Sequence, residues 1–283
     1  MKKMARRITL SSISALVLVG VFAVLFCCNV FTPSNQSRYD AKNCEQRTTL
    51  LTGKTIYWLG SSVTLGMESG EQAVADYIAA RNGTICVKEA VSGTTLIDKP
   101  FRGRDSYVTR LQNTNAFDKN AEIDAFVCQI STNDAKSENV PFWGKISPAS
   151  AIAREAFDLN TTLGSMEFIV SYVEEVWNCP VYFYSGSYIS DEGLRSSKDP
   201  TGKNYEKLVN LTKEVAAKWN AIDGYEVSVI DLFHDEAFND ISDEAFKRYM
   251  HDPVHPYKAG YLEWWTPAFE SVLIEDFSKS VDR

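Results

Sequence analysis

The chain has 283 residues, 45% of them apolar, which reads as globular and allows one large domain or two small ones. Its formal charge is −8, and all 37 acidic residues lie after residue 31 while Lys2, Lys3, Arg6 and Arg7 lie before it, so the body is more acidic still. Such a surface repels phosphate backbones and anionic lipid, which excludes nucleic acid as a partner.

Those four basic residues precede an uncharged run from about Ile13 to Phe31. A spanning helix needs roughly 20 apolar residues, and a cleaved signal has a shorter apolar centre followed by Ala-x-Ala, which is absent here. Residues 1–31 are therefore expected to be a membrane anchor or a signal segment. The basic flank stays in the cytoplasm and places the remainder outside, so the membrane is met through this segment only. The run has no polar face, unlike a buried surface-packed helix. Cys27 and Cys28 follow Phe26, which is too bulky for the small residue that precedes a lipidated cysteine. Residues 32–49 are polar, include Pro33, Ser34 and Asn35, and read as a stalk; the folded domain is expected over 50–283.

Within that domain, short runs rich in β-branched and aromatic residues occur at 55–59, 84–87, 125–130, 181–184 and 227–232. Between them, apolar residues at three- and four-residue spacing predict helices at 71–81, 166–177 and 205–221, with a closing helix at 261–277. Strands that are apolar throughout are buried on both faces, and strand–helix alternation calls for a parallel sheet covered on each side. The expected architecture is a three-layer α/β/α sandwich with five parallel strands. Ligands gather beyond the carboxyl ends of such strands.

Four chemically notable blocks fall at strand or helix junctions, three of them at those ends. After the first strand comes Gly60-Ser61-Ser62-Val63-Thr64-Leu65-Gly66, a small-residue turn that can expose Ser62 and direct N–H groups at an oxyanion, or can be an ordinary turn. No Gly-Lys-Ser/Thr follows, which disfavours a phosphate loop. After the second strand, Gly93 in Ser92-Gly93-Thr94 can offer a backbone N–H that no side chain blocks, or can serve only as a turn glycine. After the third, Asn133 in Ser131-Thr132-Asn133-Asp134 can donate its amide to a developing negative charge, or cap a turn. Near the end lies His251-Asp252-Pro253-Val254-His255-Pro256. An aspartate three residues before a histidine, on a turn stiffened by Pro253, can hold Nδ1 and leave Nε2 for a serine hydroxyl that is a poor nucleophile without a base. His251 lacks such an acid and flanks this pair; His234, after the fifth strand, is the competing histidine.

In this order and at these junctions, the four blocks over residues 50–280 resemble the SGNH hydrolases, the GDSL esterase/lipase family. That family carries Gly-Asp-Ser, a glycine, Gly-x-Asn-Asp and Asp-x-x-His; here Ser61 stands for the aspartate and Ser131 for the glycine of the third block. The resemblance implies a flavodoxin-like α/β/α fold and a serine esterase with Ser62 as nucleophile, His255 as base and Asp252 as its orienting acid. It further implies an oxyanion hole from the backbone N–H groups of Ser62 and Gly93 and the side chain of Asn133, with no metal or organic cofactor. The Gly-x-Ser-x-Gly elbow of α/β-hydrolases is absent, which disfavours that competing fold.

The expected substrates are acetyl or other short acyl esters, small or on extracytoplasmic polysaccharide. The rivals are a lipid or lysophospholipid esterase, an acyltransferase, and a non-catalytic carbohydrate-binding module. Residues 135–164 and 186–204 follow the third and fourth strands and should shape the pocket. The aromatic stretch 140–144 reads as either a sugar-stacking rim or hydrophobic cover. Cys44, Cys86, Cys128 and Cys179 show no Cys-x-x-Cys spacing, so a thiolate metal site is not expected. Cys128, inside an apolar run, reads as a small buried hydrophobe.

Overall fold

A computed structural model describes residues 32–99, 103–190 and 202–281. The N-terminal apolar run and part of the 186–204 segment lie outside the described residues. No helix among those described is long and apolar enough to cross a membrane.

Five strands, β1 (Thr55–Gly60), β2 (Ile85–Ala90), β3 (Ala125–Gln129), β4 (Val181–Tyr184) and β5 (Val227–Ile230), form one sheet in the order β2-β1-β3-β4-β5. Every pairing is parallel. The helices are α1 (Ser62–Leu65), α2 (Val74–Asn82), α3 (Tyr107–Asn113), α4 (Thr162–Trp177), α5 (Gly202–Asn220), α6 (Glu236–Asn239), α7 (Asp243–Tyr249), α8 (Lys258–Gly260) and α9 (Thr266–Val281). A π turn, Tyr261–Trp265, joins α8 to α9.

Alternation along each strand builds two cores. Tyr57, Leu59, Phe126, Cys128 and Phe183 point to one face, where α3, α4 and α5 cover them with Tyr107, Leu111, Met166, Ile169, Tyr205 and Trp219. Ile56, Trp58, Val127, Tyr182 and Tyr184 point to the other, under Tyr77 and Ile78 of α2, Trp265 of the π turn and Phe269 and Leu273 of α9. Cys128 is fully buried in the first core, as its apolar setting predicts.

The three-layer arrangement agrees with the strand–helix alternation of the sequence. Helix α3 has no counterpart in that reading, because seven residues including Arg110 and Gln112 give too short and too polar a pattern. The second strand runs three residues beyond its apolar core because it is the sheet edge, where Lys88 can pair with Asp76 and Glu89 with Arg110.

Residues 32–49 are docked on the domain rather than extended as a stalk. Three 3-10 turns, Pro33–Asn35, Ser37–Tyr39 and Ala41–Asn43, bury Ser34, Asn35 and Tyr39. Their polar groups, which composition assigns to solvent, find partners in the domain instead: Tyr77 donates to the Tyr39 carbonyl at 2.8 Å and Lys258 pairs with Asp40 at 2.6 Å.

From β1 the chain passes to β2 on one side and then to β3 on the other. The crevice beyond the ends of β1 and β3 is therefore the topological switch point, where an open parallel sheet leaves room for a ligand.

Candidate active site

At the end of β1, Gly60 is required by the tightness of the turn into α1: a Cβ there would lie 1.7 Å from the Thr64 hydroxyl. One acceptor organises this turn. The Gln129 side-chain oxygen, at the end of β3, accepts from the backbone N–H of Ser61 at 3.0 Å, that of Thr64 at 3.1 Å and the Thr64 hydroxyl at 2.8 Å. Gly66, in the left-handed region at φ 80°, then ends α1 and donates to the Ser62 carbonyl. Replacement of Gly60 by alanine is expected to cost about 1–3 kcal/mol through overpacking and to displace Ser62. Urea unfolding and kcat measured together should both fall; an alanine variant with unchanged stability and rate would show that the turn relaxes freely.

His255 reaches this serine from a loop 193 residues further along the chain, its Nε2 lying 2.8 Å from Ser62 Oγ. Its Nδ1 lies 2.8 Å from Asp252 Oδ2, while Asp252 Oδ1 accepts from the N–H groups of Val254 at 2.7 Å and His255 at 2.8 Å. The carboxylate thus fixes both the loop and the ring. Geometry assigns the proton to Nδ1 and leaves Nε2 to accept from the serine hydroxyl. Burial pushes the Asp252 carboxyl up, but the His255 imidazole and the two backbone donors outweigh it and hold it below its ordinary value. The loop closes on itself through a 2.8 Å bond from His251 N–H to the His255 carbonyl and an isolated bridge between Met250 and Pro256.

Gly93 sits at φ 83° in the loop after β2. That loop meets Asn133 through Thr94, whose carbonyl accepts from Asn133 Nδ2 at 3.0 Å. Arg110, buried on α3, ties it to the turn that carries Ser62 by donating to the Gly60 carbonyl at 2.8 Å and the Thr94 hydroxyl at 3.1 Å. Asp134, also buried, accepts from Leu96 N–H at 2.9 Å and the Thr162 hydroxyl at 2.9 Å. Burial pushes its carboxyl up to about 6 against the N–H of Leu96 and the hydroxyls of Ser131 and Thr162. Ser131, where the SGNH pattern has glycine, accepts from the N–H groups of Asn133 at 3.2 Å and Asp134 at 3.3 Å, so the substitution adds a turn cap. Ser61, in place of the aspartate, is fully buried and faces Gln129 Oε1 at 3.4 Å.

The remaining candidates fall elsewhere. His251 Nδ1 lies 3.1 Å from the Tyr257 hydroxyl and 3.9 Å from Glu68, beside the site rather than on Ser62. His234 forms a second Asp-x-x-His pair, its Nδ1 2.8 Å from Asp231 Oδ2, but it follows β5 at the far sheet edge, and Lys213 shares that carboxylate. Spacing alone does not separate the two pairs; sheet order does. Of the two aromatic residues in 140–144, Trp143 belongs to the core and Phe142 is exposed, under the Lys99 ammonium at 4.9 Å.

Sequence reasoning passes over Gln129, Arg110 and Thr64. Gln129 leaves a signal, as a polar side chain inside an apolar strand. Arg110 leaves none, since a lone arginine on a short helix reads as solvent-facing.

Solved structures share this fold. A protein from Lactobacillus plantarum superposes with a TM-score of 0.56 at 20% identity, covering 78% of this chain and 97% of its own. A catalytic mutant of an acetylxylan esterase from Geobacillus stearothermophilus does so with a TM-score of 0.51 at 17% identity, covering 78% and 94%. No protein-family model and no curated protein matches the sequence. The fold these structures share with the chain is the five-stranded parallel α/β/α sandwich expected from the sequence.

Proposed function

We propose that this chain is a serine esterase of the SGNH type, with Ser62 as nucleophile, His255 as general base and Asp252 orienting it. The observation that carries the reading is the unbroken relay from Ser62 Oγ to His255 Nε2 at 2.8 Å and from His255 Nδ1 to Asp252 at 2.8 Å. The Ser62 oxygen attacks an ester carbonyl carbon while Nε2 takes its proton. The tetrahedral oxyanion is held by the N–H groups of Ser62 and Gly93 and by Asn133 Nδ2. Its collapse expels the alcohol, which takes the proton back from His255, and leaves an acyl-serine. Water, deprotonated by the same imidazole, then releases the acid.

The substrate we favour is an acetyl or other short acyl ester on carbohydrate outside the cytoplasm, with residues 1–31 as the membrane attachment. The support is the acetylxylan esterase among the structures that share the fold, together with the acidic body and the N-terminal basic–apolar pattern.

The full-length chain should hydrolyse p-nitrophenyl acetate and acetylated xylo-oligosaccharides, with rates falling as the acyl chain lengthens. A fluorophosphonate probe should attach to Ser62 on peptide mapping. Labelling at another residue, or no hydrolysis at any acyl length, would sink the esterase reading, and a rate rising with chain length would replace the carbohydrate substrate by a lipid one.

A further inference from the structure

Ser62 and His255 are 193 residues apart, so the 2.8 Å between them is set by non-covalent ties across the crevice. One tie is internal to the domain: the Tyr261 hydroxyl donates to the Val63 carbonyl at 2.7 Å. Another comes from the N-terminal segment. Asn35, only 5% exposed, donates from Nδ2 to the Glu68 carbonyl at 2.7 Å and accepts at Oδ1 from Lys258 N–H at 2.9 Å. Glu68 lies in the 3-10 turn Met67–Ser69, directly after the helix that Ser62 begins. Lys258 opens α8, three residues beyond His255, and its N-cap residue Tyr257 offers no side-chain cap, so the Asn35 oxygen satisfies a donor the helix itself leaves open. The Lys258 side chain then passes over Gly70, where a Cβ would lie 3.6 Å from its Cε, and reaches Asp40 at 2.6 Å. A single carboxamide ahead of β1 is thereby bonded to the turn that follows the Ser62 helix and to the helix that follows the His255 loop.

Resting on the esterase reading, we propose that Asn35 is a positioning residue: its carboxamide clamps the Glu68 and Lys258 backbones and so holds the His255 imidazole at hydrogen-bonding distance from Ser62. The segment ahead of β1 is then part of the active-site frame.

The test uses the full-length chain and three variants. Asn35→Leu removes donor and acceptor at nearly constant size, and Asn35→Asp keeps the acceptor for Lys258 but loses the donor to Glu68. Asn43→Leu is the control, since Asn43 caps only the Ser37 carbonyl within the same segment. With p-nitrophenyl acetate below the melting temperature of every variant, Asn35→Leu should lose about tenfold in kcat with KM unchanged, because small misplacement of a catalytic group costs up to about 10²-fold. Its rate of fluorophosphonate labelling should fall in step, and Asn43→Leu should match wild type. If Asn35→Leu does not fold, Asn35→Asp carries the decision: kcat and labelling must fall below both wild type and Asn43→Leu.

Unchanged kcat and labelling in a folded Asn35 variant would overturn the clamp while leaving the esterase standing. An equal fall in Asn43→Leu would overturn it too, as a general effect of segment stability. An inert and unlabelled wild type would instead overturn the esterase reading beneath it.

Discussion

Ser62→Ala and His255→Ala are each expected to lower kcat on an aryl acetate by about 10⁶-fold, and the double variant no further, because members of a triad act as a unit. Without the base, the Ser62 hydroxyl attacks no faster than a solvent alcohol; without the nucleophile, the imidazole has nothing to activate. Asp252→Asn should cost about 10⁴-fold for a different reason. An asparagine at 252 can still accept from the Val254 and His255 N–H groups, so the loop keeps its shape. Its amide donor would face Nδ1, and the imidazole would move its proton to Nε2, pointing a hydrogen at Ser62 where a lone pair is needed. Because the Asp252 carboxyl is held below its ordinary value, it stays ionised wherever a histidine titrates, and this difference should persist across that range. Steady-state kinetics with circular dichroism as a folding control would decide it. Multiplicative losses in the double variant, or an Asp252→Asn enzyme as fast as wild type, would contradict the relay.

How far the sequence reaches is set by the range of the interactions involved. The strand runs were readable because a parallel strand covered on both faces must be apolar at every position, as Ile56 to Leu59 and Ala125 to Cys128 are. Ser62, Asn133 and His255 stand out as candidates because polar residues abruptly end such runs or sit at fixed spacing near a loop. What depends on contacts between distant segments left little trace. The docking of Asn35 on Glu68 and Lys258 joins positions 33 and 223 residues away, and local polarity points to solvent instead. For Trp143 the local sequence leaves rim and hydrophobic cover equally open, and the choice falls to cover only through its indole, which donates to the Asp134 carbonyl inside the core. The two Asp-x-x-His pairs are locally alike, and only the crossover order of the strands puts one on Ser62 and the other at the sheet edge.

Asn133→Ala is expected to lower kcat by about 10²–10³-fold with little change in KM, the usual cost of one oxyanion donor. The side chain is well placed for a contribution confined to the transition state. One hydrogen of Nδ2 is committed to the Thr94 carbonyl at 3.0 Å, which fixes the amide plane, and the backbone N–H is held by Ser131 Oγ at 3.2 Å. The second amide hydrogen can then serve the tetrahedral oxygen without reorganisation when charge develops. Alanine removes both hydrogens, yet the Ser131 cap and the Asp134 bonds to Leu96 and Thr162 keep the turn in place, so stability should change far less than rate. Asn133→Asp offers the sharper contrast. It presents a carboxylate to the Thr94 carbonyl and to the oxyanion alike, and repulsion at the reacting centre should make it slower than alanine despite its closer shape. Measured kcat and KM for the two variants, beside their melting temperatures, separate the cases. An aspartate variant faster than alanine would mean that Asn133 shapes the loop and leaves the oxyanion to the Ser62 and Gly93 N–H groups.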